Sequence, residues 1–412
     1  MPLFAIVCTH CMHLLMTANS IVDSQLNTGM VDYPELTELS FQIGPKPFQK
    51  ISKLSRWIVN ISLALTQFGF CCVYSLFVAE NVSLFVKEVS QTNFEMNVRV
   101  YLAVLLPLFI LISLVRSLYA LSLFSAFSNV LLCVGFVAIF VELFNPLSNI
   151  NSVPKFASII DFPLYMGTAI YAFEGIGVIL PLQRDMDEPK NLKGPTGAVN
   201  IAMAIVACLN TGIGFFGYLK YGDNILGSIT LNMPVKYIYI ALKLTFALAI
   251  FLTYPIQYYV PYNILWPWAV KKYCLEERFG NTWKLRAIDI ISRTFIVIIT
   301  VSLAAAIPKL ELFISLVGAF AASNLALIFP PLLDLCVHWN LDLKTYQQSK
   351  KIYDKKTHNS VIKNNSEIII EDIKLPNFKL IFIKDITIFM IGVIGFTTGT
   401  YASVENIIAN YD

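Results

Sequence analysis

Nine long apolar runs govern what this chain can fold into. They lie at roughly 57–80, 100–118, 121–144, 160–182, 198–218, 237–268, 289–307, 310–335 and 382–405. A helix needs about 20 apolar residues to cross the hydrocarbon core of a bilayer. In lipid the backbone must satisfy its own polar groups, so each run is expected to be a helix. None shows the strict alternation of a barrel strand. The composition agrees. Of 412 residues, 56% are hydrophobic and 14% are charged, whereas a soluble chain carries about a quarter charged. Mean hydropathy is +0.65. The chain is expected to be all-α, a polytopic integral membrane protein crossing the lipid bilayer many times.

Basic residues orient it. If the stretch before Trp57 is cytoplasmic and each run crosses once, the cytoplasmic connections hold 22 lysines and arginines and the opposite ones six. That asymmetry follows the positive-inside rule. Three N-x-S/T sequons test it. Asn60 is expected within the bilayer, Asn364 in the cytoplasm, and Asn81 alone on the outer side. Connections of mixed sign and a net charge of +3 give no nucleic-acid surface.

Six cysteines fall within the runs or on or near the cytoplasmic side, and Cys8 and Cys11 lie near the N-terminus; none is in an expected outer loop, so no disulfide framework is expected. Cys8, Cys11, His10 and His13 sit together near the start, but no second ligand cluster accompanies them, and they read as an apolar helix stub rather than a metal site. Residues 338–381 are polar, lysine-rich and poor in aromatics. They read as a cytoplasmic loop that links the helices. The expected organisation is therefore a helix remnant at 1–18, a cytoplasmic loop at 19–56, a transmembrane core at 57–337, a cytoplasmic loop at 338–381, and a last helix with its tail at 382–412.

One run carries an anomaly. In "YAFEGIGVILPLQRDMDEPKN", from Tyr171 to Asn191, the carboxylate Glu174 stands among aromatics and is followed by Gly175 and Gly177. A charge at that depth is costly and faces a cavity, a partner or an ion path. Glycines there lower helix propensity. They serve either close helix packing or an unwound segment whose free backbone groups line a site, as in transporters. An intramembrane enzyme would need paired catalytic groups at that depth. Glu174 has no such partner in the sequence, so an enzyme is not expected.

These residues carry a resemblance. "TAIYAFEGIGVILPLQRDMDEPKN" resembles the signature helix of the proton-coupled amino acid transporters, in the amino acid/auxin permease superfamily. "TQFGFCCVYSLFVAEN" (66–81), "RSLYALSLFSAFSN" (116–129), "GYLKYGDNILGSITLNMP" (217–234), "FLTYPIQYYVP" (251–261) and "ELFISLVGAFAASNLALIFPPLLDL" (311–335) resemble further blocks of that family in the same order. The resemblance runs from about His10 to Tyr401.

It implies a LeuT-like inverted-repeat transporter fold, in which the first and sixth helices are broken at mid-membrane around the substrate. The Tyr171–Asn191 stretch stands at the sixth. Tyr171, Phe173, Glu174, Gly175 and Gly177 would then meet the substrate, with Glu174 also coupling the proton. Tyr74, Tyr254 and Gln257 stand where the third and eighth helices approach. The implied function is proton-coupled movement of small neutral amino acids by alternating access. The implied location is the plasma membrane or a lysosomal or vacuolar membrane. Amino acids and protons are the expected partners, and no cofactor or metal is implied. The chain departs from the pattern at its start. Nothing matches the family's glycine-rich first helix, and residues 1–18 resemble only the end of the second. The fold is thus expected to be N-terminally truncated, with half of the site missing. A chain of that kind is expected to insert without transporting, or to act as a non-transporting sensor or regulatory partner of the same fold.

Overall fold

The computed structural model describes residues 1–90, 96–145, 153–154, 158–194, 196–280, 283–307, 309–339 and 378–409. Fourteen helices order these residues. They are α1 (Pro2–Leu26), α2 (Tyr33–Ile43), α3 (Lys46–Lys50), α4 (Ser52–Ser90), α5 (Val98–Ser113), α6 (Leu118–Leu143), α7 (Phe162–Ala172) and α8 (Ile176–Asp185). They continue as α9 (Ala198–Tyr221), α10 (Tyr237–Lys272), α11 (Leu275–Phe279), α12 (Trp283–Ala306), α13 (Leu310–Trp339) and α14 (Phe378–Ala409). Among the described residues, nine helical segments are long and apolar enough to cross a membrane: α1, α4, α6, α7 with α8, α9, α10, α12, α13 and α14. The protein is an all-α, multi-pass membrane protein.

The set of nine differs from the expected one at two places. The run at 100–118 forms α5, which stops at Ser113 after 16 residues, about 24 Å of helix. Ser117 then caps α6 through the Ala120 N–H, so a tight turn consumes the end of the run. Conversely, the stub at 1–18 is only the first part of a 25-residue helix. The helix continues past its apolar stretch because Asn19 is satisfied inside the fold. Its side chain donates to the Val31 carbonyl at 3.2 Å and accepts from the Val31 N–H at 3.3 Å. This closes the link to α2.

The stretch 19–56 is mostly helical. It holds the end of α1, then α2, α3 and the first turns of α4. On α2, Tyr33, Leu36, Thr37, Ser40 and Phe41 are buried, and this face lies on α4 and α1. Glu38 pairs with Arg56 at 2.8 Å. Asn81 is buried within α4, and its amide donates to the Phe77 carbonyl at 2.9 Å. Its side chain is therefore closed to glycan attachment in this fold. Asn364 and most of the 338–381 stretch lie outside the described residues.

Two large apolar cores fill the bundle. One joins α1, α2, α8 and the second half of α13. The other joins α4, α5, α10, α12 and the start of α13. Both α7 and α8 bury residues in the first core, and Tyr171 at the end of α7 also packs against the second. α13 itself is irregular, with π turns at Gly318–Ala322 and Asn324–Ile328. Such turns loosen the helical ladder and cluster at functional sites. The first of them faces α7, where the chain also departs from regular helix.

Candidate substrate site at the broken helix

α7 ends at Ala172 and α8 begins at Ile176, leaving Phe173, Glu174 and Gly175 between them. The end of α7 tightens into shorter loops. The Phe173 N–H bonds to the Ile170 carbonyl at 3.3 Å and the Glu174 N–H to the Tyr171 carbonyl at 3.2 Å. Two helix ends with unpaired backbone groups thus meet inside the protein. The Glu174 side chain answers the α8 end, where the N–H groups of Ile176 and Gly177 hydrogen-bond its carboxylate. An anion at a helix N-terminus is favoured by both the free N–H groups and the helix dipole. The second carboxylate oxygen, Oε2, is buried with no hydrogen-bond partner.

The wall around Glu174 comes from parts of the chain read as stub and loop. A Cβ on Gly175 would touch the Met12 methyl at 3.5 Å, and one on Gly177 would crowd Leu63 at 3.0 Å. Cys8 of α1 and Tyr33 of α2 lie within electrostatic reach of Glu174. The Tyr33 hydroxyl donates to the Leu325 carbonyl at 2.7 Å, in the second π turn of α13. Burial, and then the Glu174 charge, push the Tyr33 hydroxyl well above its ordinary value, which keeps it a neutral donor.

The eight residues singled out in the sequence fall into two groups. Phe173 belongs to the first core, with Glu174, Gly175 and Gly177 beside it. Tyr171 faces the second core. Its ring meets Phe70 edge-on at 4.7 Å, and its buried hydroxyl has no partner. Tyr74 lies near it and accepts from Gln257 Nε2 at 3.2 Å. Tyr254 is buried in the same core, against Phe109 at 4.7 Å and parallel to Tyr258 at 6.4 Å. The break thus places two groups on opposite sides of one unwound turn. No sequence signal points to Met12, Cys8 or Tyr33 at this site. Their types are ordinary for an apolar helix and an amphipathic turn, and only packing brings them to Glu174.

A cavity of about 440 Å³ reaches the break at Gly177, with Tyr33, Asn60, Leu63, Tyr259 and Asn263 in its lining. At its rim Arg184 bonds Asp32 at 2.8 Å and its neighbour Asp185 at 3.0 Å. The volume falls in the range of small-molecule sites. The site therefore combines a buried carboxylate oxygen and a helix N-terminus with a cavity that reaches Gly177.

The sequence profile described as transmembrane amino acid transporter protein matches residues 1–354. The chain belongs to the transmembrane amino acid transporter family. It is 30% identical to the proton-coupled amino acid transporter-like protein pathetic of Drosophila melanogaster, over 83% of this chain and 70% of that protein. It is 28% identical to the probable amino acid transporter skat-1 of Caenorhabditis elegans, over 82% of this chain and 73% of that one. The matched region includes the whole of α7–α8. Membership sets the enzyme reading aside, because the family and these relatives are transporters.

Proposed function

We propose that the protein moves small neutral amino acids, together with protons, by alternating access around the α7–α8 break, as in the LeuT-like plan that its sequence resembles. The observation that carries this reading is the Glu174 carboxylate lying on the Ile176 and Gly177 N–H groups. Those are the groups a substrate carboxylate would use. While Glu174 is ionised, it competes for them. A proton on Glu174 weakens its hold as an acceptor, and the N–H groups become free for the substrate. Proton binding and substrate binding then favour each other. A hydrogen bond to a charged group contributes about 1.5–3 kcal/mol. Two of them approach or exceed the ~4 kcal/mol that corresponds to millimolar affinity.

Neutral, compact substrates fit the surroundings. Phe173, Leu63 and Met12 present apolar surface, and Gly175 and Gly177 leave room at the backbone. Tyr171, Tyr74 and Gln257 stand one turn away, with the Tyr171 hydroxyl still unpaired. They would contact the remainder of the substrate, and Tyr254 would support that layer from behind.

The test is uptake of labelled proline or alanine into vesicles under an inward proton gradient. It compares the wild-type chain with its Glu174→Gln variant. Gradient-driven uptake is expected from the wild type, and the Gln variant should lose it while still reaching the membrane. Normal uptake with normal pH dependence in Glu174→Gln would remove Glu174 from the mechanism. Saturable binding without uptake in any form would favour the sensor reading.

A further inference from the structure

α13 and α14 meet over a cluster of ionisable side chains remote in sequence from the broken helix. Asp334 and Asp385 are buried, at 2% and 0% exposure. Lys384 Nζ lies 3.1 Å from Asp385 Oδ1 and 3.7 Å from Asp334 Oδ2. His338 Nδ1 lies 2.9 Å from the Asp334 main-chain oxygen and 3.2 Å from its Oδ1. From α1, His10 faces Asp334 and Lys384, and Cys11 faces Asp385 and Lys384. The His10 Nε2 atom has no partner.

The charges do not balance without a proton. Two buried carboxylates face one ammonium, and Lys384 is itself 37% exposed. A carbonyl oxygen only accepts, so His338 Nδ1 carries a hydrogen and is satisfied while the ring is neutral. Asp385 Oδ2 is buried with no hydrogen-bond donor among the described residues. Asp334 Oδ2 and Asp385 Oδ1 converge on the same ammonium, that of Lys384. Two carboxyl groups can share a hydrogen bond only when one of them is protonated, and like charges so close cannot both ionise without large cost. These groups do not converge as metal ligands.

We propose that Asp334 and Asp385 form a proton-binding site that holds one proton between their carboxyl groups and joins α13 to α14. With the proton in place, one neutral acid donates to one carboxylate, and Lys384 balances the remaining charge. Without it, two carboxylates repel across the contact, and α13 and α14 are driven apart at the ends that flank residues 340–377. The site is separate from Glu174 and stands whether or not the chain transports amino acids.

The experiment is an infrared pH titration of the purified protein in lipid, following the carbonyl stretch of protonated carboxylic acids. The wild type should show such a band that disappears as pH rises. Asp385→Asn and Asp334→Asn should each remove that component, whereas Glu174→Gln should leave it. The same titrating component in both Asn variants, or none in the wild type, would overturn the proposal. If either Asn variant fails to fold, Lys384→Met decides. Without the ammonium, loss of the band should move to higher pH, and no movement or the opposite movement would count against a shared proton.

Discussion

The backbones of Gly167 and Gly318 touch. A Cβ on Gly318 would come within 1.9 Å of the Gly167 carbonyl oxygen, and one on Gly167 within 2.4 Å of the Ser315 carbonyl oxygen. This contact fixes α7 against the first π turn of α13, directly above the break. Small residues let membrane helices approach in this way.

Gly318→Ala is therefore expected to be severe. The atom in the way is backbone and cannot rotate aside, so the cost should reach the upper end of overpacking, about 3 kcal/mol. Thermal unfolding in detergent and the amount of protein in the membrane would show it. Gly214→Ala is the control, because a Cβ there meets nothing within 4 Å. Equal behaviour of the two variants would count against the close contact.

Lys243 is 1% exposed and lies 2.5 Å from Glu88, with the Met233 carbonyl at 3.4 Å. Removing one member of a buried pair strands the other charge. Lys243→Met alone should cost about 3–5 kcal/mol. The double variant Lys243→Met with Glu88→Leu should recover much of that loss. Additive costs in a double-mutant cycle would show that the two do not pair.

Tyr74 and Gln257 form a polar link between α4 and α10 beside Tyr171. Tyr74→Phe and Gln257→Leu should each weaken substrate affinity, and the double variant should be little worse than either. A coupling of about 1 kcal/mol is expected for groups in direct contact. The readout is the apparent affinity for labelled substrate at fixed pH. No coupling would place the two residues outside a common site.

Tyr33→Phe removes the donor to the Leu325 carbonyl, and an unsatisfied buried acceptor costs about 1–3 kcal/mol. The same substitution should alter the alkaline limit. The folded-state value of Tyr33 is raised above an unfolded value of about 10. Its contribution is therefore fully present below pH ~10 and is lost as pH rises beyond it. Tyr33→Phe should flatten that alkaline loss, as followed by thermal unfolding between neutral and strongly alkaline pH. An unchanged alkaline slope would mean that Tyr33 is not held neutral by its surroundings.

The sequence by itself determined the class of fold, most of its membrane-crossing segments and the position of the broken helix. These follow from local properties. A run of apolar residues in lipid has no alternative to helix. A carboxylate followed by two glycines weakens that helix where it stands, and α7 does end within two residues of Glu174. Only the tertiary structure decided how far α1 extends, because its polar end is stabilised by Asn19 pairing with Val31 across a turn. It alone set Tyr33, Cys8 and Met12 around the break, and it alone divided the expected site residues between two cores. Asp334 and Asp385 are likewise ordinary acids near helix ends until α13 and α14 are packed together. Periodicity tells which residues share a face of a helix, but not which face of another helix it meets. That choice is made by contacts between residues more than a hundred positions apart, such as Tyr33 with Leu325 and Tyr74 with Gln257, and no local pattern encodes them.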